Sequence, residues 1–482
     1  MPSQSDFLTI LPLLFISVWA LLVLVIDLWI PETRKRYTVI LAEIGLAIAV
    51  VITSILKPLS SSGFRGMVVF DGFTQSMTLI FLVSGIVGIA LSYDYLKRNL
   101  ADRGEYYILV LFSVSGMLLM AAANDLIIVF LALELLSIPL YILSGFFRPR
   151  QTSEEAALKY FLVGTFSSAF LLFGIAWTYG ASGSMNLSEI SALILAGKVN
   201  MDLFLVGASL LIVGFGFKVG VVPFHMWAPD VYNGAPSSLG AFMSVATKAA
   251  GFAGLIRVFI MIFTPLAATL VTIFWVTAAA SMILGNIAAI AQNNIKRMLA
   301  YSSIANAGYI LMAFVTFGTP GMAQETFISA VFFLLAYAFT SFSTWAVLIS
   351  IEPAGSDGLS LQDFSGLGRK YPWLGASLLI SMLSFTGVPL TMGFWGKFYL
   401  FKTAVSGGFV GLALIGLLTS LVSAYYYLRI VMFAYLKPGD PVVQPGRWVN
   451  VIAVVMAAGV LILSFFPSPI FQFAGKLIES VK

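Results

Sequence analysis

Stretches of about twenty apolar residues, each long enough to cross a ~30 Å hydrocarbon core as a helix, recur along nearly the whole chain. No other feature constrains the fold as much. Apolar runs and their breakers predict fourteen spans, near 7–30, 38–56, 73–93, 106–123, 125–146, 156–180, 203–226, 236–263, 266–289, 298–317, 325–351, 372–403, 408–436 and 448–470. Only 10% of the 482 residues are charged, against about 25% in soluble domains, so the chain cannot clothe itself for water. The expected fold class is an all-α polytopic membrane protein. MPSQSD at the amino terminus lacks the basic stretch of a signal peptide, which makes 7–30 a retained first helix. Alternating the connections puts fourteen Lys and Arg, Lys296 among them, in loops on one side and six on the other. By the positive-inside rule, both termini then lie outside the cytoplasm.

The chain has no cysteine and one histidine. That excludes thiolate-ligated iron–sulfur clusters, Cys-zinc sites, disulfides and bis-His haem. No basic run exceeds Arg34-Lys35-Arg36, so the net charge of +5 reflects loops rather than a nucleic-acid patch.

Charges inside the spans carry the functional signal. Lys248 lies twelve residues beyond Pro236, about 18 Å along a helix, at mid-membrane. Lys218 lies fifteen residues into its segment, and Lys397 lies in a span of roughly thirty residues, too long for one straight crossing. Glu134, nine residues after Asp125 and fourteen before Arg148, falls near the midplane. Each such charge costs at least ~2.5–3.5 kcal/mol at the bilayer centre. Desolvation lowers a lysine pKa and a nearby carboxylate raises it, so a lysine between those influences can load and release a proton. One Lys–Glu pair can simply fix helix packing; three mid-span lysines and a glutamate on separate helices point to an ion path. Lys159, Arg257 and Arg429 lie nearer helix ends, where long side chains are expected to snorkel to the headgroups.

Two of these lysines adjoin helix breakers, in GFGFKVGVVPFHMW (214–227) and TGVPLTMGFWGKF (386–398). Glycine and proline at Gly220, Pro223, Gly387 and Pro389 free backbone polar groups, which lipid tolerates only where they face protein or a water-filled cavity. A harmless proline kink is the simpler reading of either break alone; beside a buried lysine, twice, it is the weaker one. His225 reads first as a packing or interface residue and second as a proton carrier. The glycines of GFGF lack the spacing of a phosphate loop and read as close helix packing.

LALELLSIPLYIL (131–143) and LAYSSIANAGYIL (299–311) match at both ends with an offset of 168, and the two breaks are 166–167 apart. This predicts two inverted five-helix repeats: N-terminal helices over 1–105, repeats over 106–263 and 264–436, and a final helix and tail over 437–482. Ser302 takes the place of Glu134 in the second repeat, so the half-sites need not titrate alike.

ALELLSIPLYILSGF, EEAALKYFLVGTFSSAFLLFG, GFGFKVGVVPFHMWAPDVYNGAPSS, NIKRMLAYSSIANAGY, GVPLTMGFWGKFYLF and SAYYYLRIVMFAYL together resemble the antiporter-like membrane subunits of bacterial respiratory complex I, the NADH–quinone oxidoreductase, in particular the subunit N family. The resemblance runs in order from about residue 70 to 436. It implies fourteen helices, inverted repeats and discontinuous helices 7 and 12. It implies proton translocation through Lys218, modulated by Glu134, then a central Lys248 and an exit-facing Lys397, with Lys159 passing charge near Glu134. Many relatives carry a histidine where this chain has Asn306, so a relay there would need water. The resemblance further implies a multi-pass protein of the bacterial inner membrane that binds no cofactor itself. NADH, FMN, iron–sulfur clusters and quinone belong to other subunits; the expected neighbours are another antiporter-like subunit and a small three-helix subunit. A cation/proton antiporter subunit and an inert membrane scaffold are the rival readings.

Overall fold

The computed structural model describes residues 3–59, 62–260, 266–356 and 358–478. Eleven of the described helices are long and apolar enough to cross a membrane, with Leu11–Asp27 and Pro372–Thr386 as shorter apolar helices. Their arrangement inverts the logic of a soluble protein. Ser237–Phe259 is buried throughout its apolar window and Ala323–Ile351 nearly so, forming a central wall. Peripheral helices turn large apolar side chains outward, as Leu414, Leu418 and Leu421 do on Val410–Leu436. Such a surface is stable only against lipid tails or a partner's helices.

Small residues set the closest crossings. A Cβ at Gly308 would lie 2.8 Å from the Met282 nitrogen and 2.9 Å from the Ala278 oxygen. Helices Ile295–Phe314 and Ala267–Ile290 therefore touch backbone to backbone there.

Both expected breaks are present, and they share one construction. Met201–Val219 ends on Gly220 (φ 72°), and Pro372–Thr386 ends on Gly387 (φ 88°). In each, the glycine N–H reaches back to the third-last carbonyl, of Phe217 or Ser384, while the next valine N–H closes onto Gly216 or Leu383. This is the Schellman ending, which needs a residue free to adopt positive φ. The chain resumes as Trp227–Gly234 and as Met392–Ser406.

Four expectations need correction. The first span is divided, Gln4–Thr9 and then Leu11–Asp27, and the seventh ends at Val219 rather than 226. Arg257 does not snorkel: it is 1% exposed and grips Asp71 with both terminal nitrogens at 2.6 and 2.5 Å. It also donates to Ala121 O at 2.9 Å. A guanidinium can stay inside because its fork matches a carboxylate and carbonyls together. Lys296, read as a loop residue, is buried in the first turn of Ile295–Phe314. The expected repeat boundary at 263–264 lies outside the described residues.

Candidate functional site

The breaks explain how buried ammonium groups are held. A helix end leaves carbonyls without intrahelical partners, and those carbonyls carry the negative end of the helix dipole. Lys248 Nζ lies 3.4 Å from Val219 O, the last carbonyl before the first break, and donates to Ser303 O at 2.6 Å. Lys397 Nζ donates to Phe385 O at 2.7 Å and Thr386 O at 3.2 Å, the last carbonyls before the second break. Its third partner is Ser420 Oγ at 2.7 Å. Each broken helix thus supplies a carbonyl cradle for a lysine. The two cradles differ in origin: Lys248 comes from another helix, whereas Lys397 comes from the second half of the same broken one.

Lys218 belongs to the last turn of its own half-helix, and its Nζ donates to Ser137 Oγ at 2.8 Å. Ser137 is three residues from Glu134 on Leu126–Ser144, so hydroxyl and carboxylate lie on neighbouring positions of one helix face. Glu134 and Lys218 are close enough to interact electrostatically, and no ion pair within 4.0 Å joins them among the described residues. Glu134 itself is half-buried, on a stripe with the outward-facing Leu131, Ile138 and Ile142. Its Oε1 is buried without a hydrogen-bond partner among the described residues.

Lys218 and Lys248 line one cavity at Gly220, together with Tyr232, Thr247 and Ser303. Its open space, about 10 Å³ measured at a water's centre, is about enough for one water. Just before Lys248, the backbone winds as a π-helix over Met243–Thr247, a distortion frequent at functional sites.

Between Lys248 and Lys397, hydroxyls and amides continue the file. Ser302, next to the Ser303 whose carbonyl holds Lys248, meets Tyr427 Oη at 2.5 Å. The Tyr426 and Tyr427 rings lie 4.3 Å apart. Tyr426 donates to Asn286 Oδ1 at 2.9 Å, and Asn286 Nδ2 lies 3.4 Å from Tyr309 Oη. Lys397 then stands 5.0 Å from the centre of the Tyr309 ring. Asn306 joins this stretch by donating to Ser302 O at 2.9 Å.

The remaining candidates separate from this file. The Lys159 side chain is 44% exposed and is paired with Glu155 at 2.6 Å and Asp230 at 2.8 Å. Arg297 meets the other Asp230 oxygen at 2.7 Å, which makes Asp230 a strap between distant segments. His225 lies in the first break, half-buried, with Nδ1 unpartnered among the described residues. Tyr309, Tyr426, Tyr427 and Asn286 escaped sequence reasoning. The run SAYYYLRI was a visible signal, but a tyrosine in an apolar helix reads equally as packing.

Residues 123–423 match the family model described as NADH:quinone oxidoreductase/Mrp antiporter, TM. The chain is 42% identical to NADH-quinone oxidoreductase subunit N 2 of Roseiflexus castenholzii, covering 95% of this chain and 94% of that one. It is 40% identical to subunit N of Trichlorobacter lovleyi, over 98% and 97%. A chain of respiratory complex I from Thermus thermophilus superimposes with a TM-score of 0.82 at 35% identity, over 96% of this chain and 99% of that one. A chain of the Mrp complex from Dietzia shares the fold, with a TM-score of 0.84 at 20% identity over 98% and 97%.

Proposed function

Since the chain belongs to the subunit N family of NADH-quinone oxidoreductase, we propose that it is a proton-translocating subunit of that enzyme's membrane arm, working through Glu134, Lys218, Lys248 and Lys397. The observation that carries this reading is the continuity of the polar file. Ser137 bonds Lys218, Lys218 shares a cavity with Lys248, and hydroxyls and amides extend from the Lys248 cradle to Lys397. A set of charges retained for packing alone would have no need to be joined in this way.

In this reading, a proton on Lys218 moves when its neutral partner Lys248 presents a lone pair across the intervening water. The carbonyl cradle stabilises the ammonium form and the surrounding apolar wall opposes it. Glu134 sets the balance at Lys218: moving its charge, or covering it with a partner subunit, changes which lysine holds the proton. Its place on an outward stripe suits contact with an adjoining membrane subunit. Electron transfer from NADH through FMN and clusters to quinone proceeds in other subunits, in a bacterial inner membrane, and reaches this chain as a shift of charge.

The test is proton pumping by the assembled complex in proteoliposomes. Complexes carrying Lys218→Ala or Lys248→Ala are expected to assemble fully and to lose most of the proton gradient formed per NADH oxidised. Full assembly with wild-type pumping in both variants would leave only an anchoring role.

A further inference from the structure

A second buried charge cluster lies at the ends of four helical segments, outside the file described above. Glu352, immediately after Ala323–Ile351, is 1% exposed, and neither carboxylate oxygen accepts a hydrogen bond among the described residues. Lys296 Nζ approaches Glu352 Oε1 to only 3.7 Å and donates to Ala235 O at 3.3 Å. Arg98, half-buried at the end of Gly72–Arg98, donates through Nη2 to Ile349 O. Its Nε and Nη1 are buried and make no hydrogen bond among the described residues, while the guanidinium lies 5.0 Å from the centre of the Tyr95 ring.

A buried ion pair kept for stability alone gains most when it closes to hydrogen-bond contact, since its desolvation penalty is otherwise poorly offset. This pair stays open, and unpartnered buried polar groups of native proteins are usually met by ordered water. The position is also directional. Lys296 and Ser303 are seven residues apart on one helix, hence on one face and about 10 Å apart. Ser303 is the residue whose carbonyl holds Lys248. Tyr232 lines the cavity of both lysines and is only three residues from Ala235. The half-buried Arg98 connects the other end of the cluster toward the surface, on the face that bears the basic loops.

We propose that Glu352 and Lys296 form a proton-loading station that feeds Lys248 from the basic-loop face of the membrane. The inference rests on the proton-translocating reading. A proton arriving from the aqueous side past Arg98 protonates the Glu352 carboxylate. It leaves that oxygen for the water chain beside Lys296, and a proton from the far end of that chain is taken up by neutral Lys248. One O–H bond breaks and one N–H bond forms, with no change of electrons.

The experiment compares assembled complexes in proteoliposomes for NADH oxidation and proton pumping. Glu352→Gln, which keeps the shape and loses the titrating group, is expected to slow coupled turnover and pumping at least about tenfold, toward the ~10²–10⁴-fold that a positioned proton carrier contributes. Glu352→Ala is expected to be equally slow and to recover partly when sodium formate is added, because a small weak acid can carry the proton through the space created. A purely structural carboxylate would show no such rescue, so a slow Glu352→Ala complex that formate leaves unchanged overturns the station. Wild-type pumping in Glu352→Gln alongside impaired Lys248→Ala also overturns it, while the translocation reading stands. Wild-type pumping in both overturns the two together. If Glu352 variants fail to assemble, Lys296→Gln decides: slowed pumping in a fully assembled complex supports the station, and wild-type pumping overturns it.

Discussion

The two helix breaks use the same backbone solution for different electrostatic tasks. At the first, the Schellman end at Gly220 brings two lysines to one cavity, with a carboxylate, Glu134, within electrostatic reach of one of them. At the second, Gly387 ends the helix in the same way, but the carbonyls and Ser420 surround a single lysine with neutral dipoles. The difference shows how a break can serve as a cradle without being a switch. Carbonyl ends suffice to hold an ammonium in a low-dielectric interior. Only a second titrating group nearby can make its proton conditional on events elsewhere.

That comparison can be broken most severely at Lys248, the residue to which the first break's carbonyl and the polar file both connect. Lys248→Ala is expected to cut proton pumping at least about tenfold, measured as the gradient formed per NADH in proteoliposomes. Lys397→Ala, lacking a partner lysine, is expected to lose less; equal losses would erase the distinction between the breaks.

The glycines sharpen it next. A Cβ at Gly220 would have only Trp227 near it, at 3.9 Å, whereas one at Gly387 would press on Lys397 Cδ at 3.1 Å. Both alanine variants incur left-handed backbone strain of about 1–2 kcal/mol, visible as a lower temperature of thermal inactivation. Gly387→Ala should in addition disturb Lys397 and reduce pumping beyond what Gly220→Ala does. The reverse order would mean that the cradle at Gly387 is not what positions the lysine.

Glu134→Gln is expected to lower coupled turnover about threefold, under 1 kcal/mol of barrier, with assembly intact. Because the carboxylate lies within electrostatic reach of Lys218, the loss should vanish when Glu134→Gln is assayed in a background where Lys218 is already alanine. A full additional loss there would show that the carboxylate acts other than through Lys218.

The smallest effect belongs to the loops. Lys370 pairs with Asp440 at the protein surface, and that hydrogen bond raises the lysine above its ordinary value of 10.5. Stability from a raised lysine is present below its unfolded pKa and is lost only as pH rises through the folded one. Lys370→Ala should therefore leave thermal stability and pumping unchanged between about pH 6 and 8, since solvent screens so exposed a pair.

Sequence reasoning located what is local. Apolar runs marked the helices, Gly-Val-Val-Pro and Gly-Val-Pro marked the breaks, and position along a span singled out Lys218, Lys248 and Lys397. The partners were not local. Arg257 and Asp71 are separated by 186 positions, so neither could be assigned to the other from spacing, and Arg257 read as a snorkelling residue. Lys296 was likewise assigned to a loop by its neighbours in sequence, although Glu352 shares its burial. A helix facing lipid and one sealed in the core are both apolar on every side. Hydropathy therefore could not show that Ser237–Phe259 and Ala323–Ile351 are interior. The tyrosine–asparagine file was hidden for the same reason: its members become a path only when three helices converge.

A density map of the assembled complex, at a resolution that shows ordered water, tests the connected path most directly. The account predicts water between the Lys218 and Lys248 amines at Gly220, and polar contacts unbroken from there through Tyr427 and Asn286 to Lys397. Dry apolar packing between the two amines, or a gap without water along that line, would contradict it.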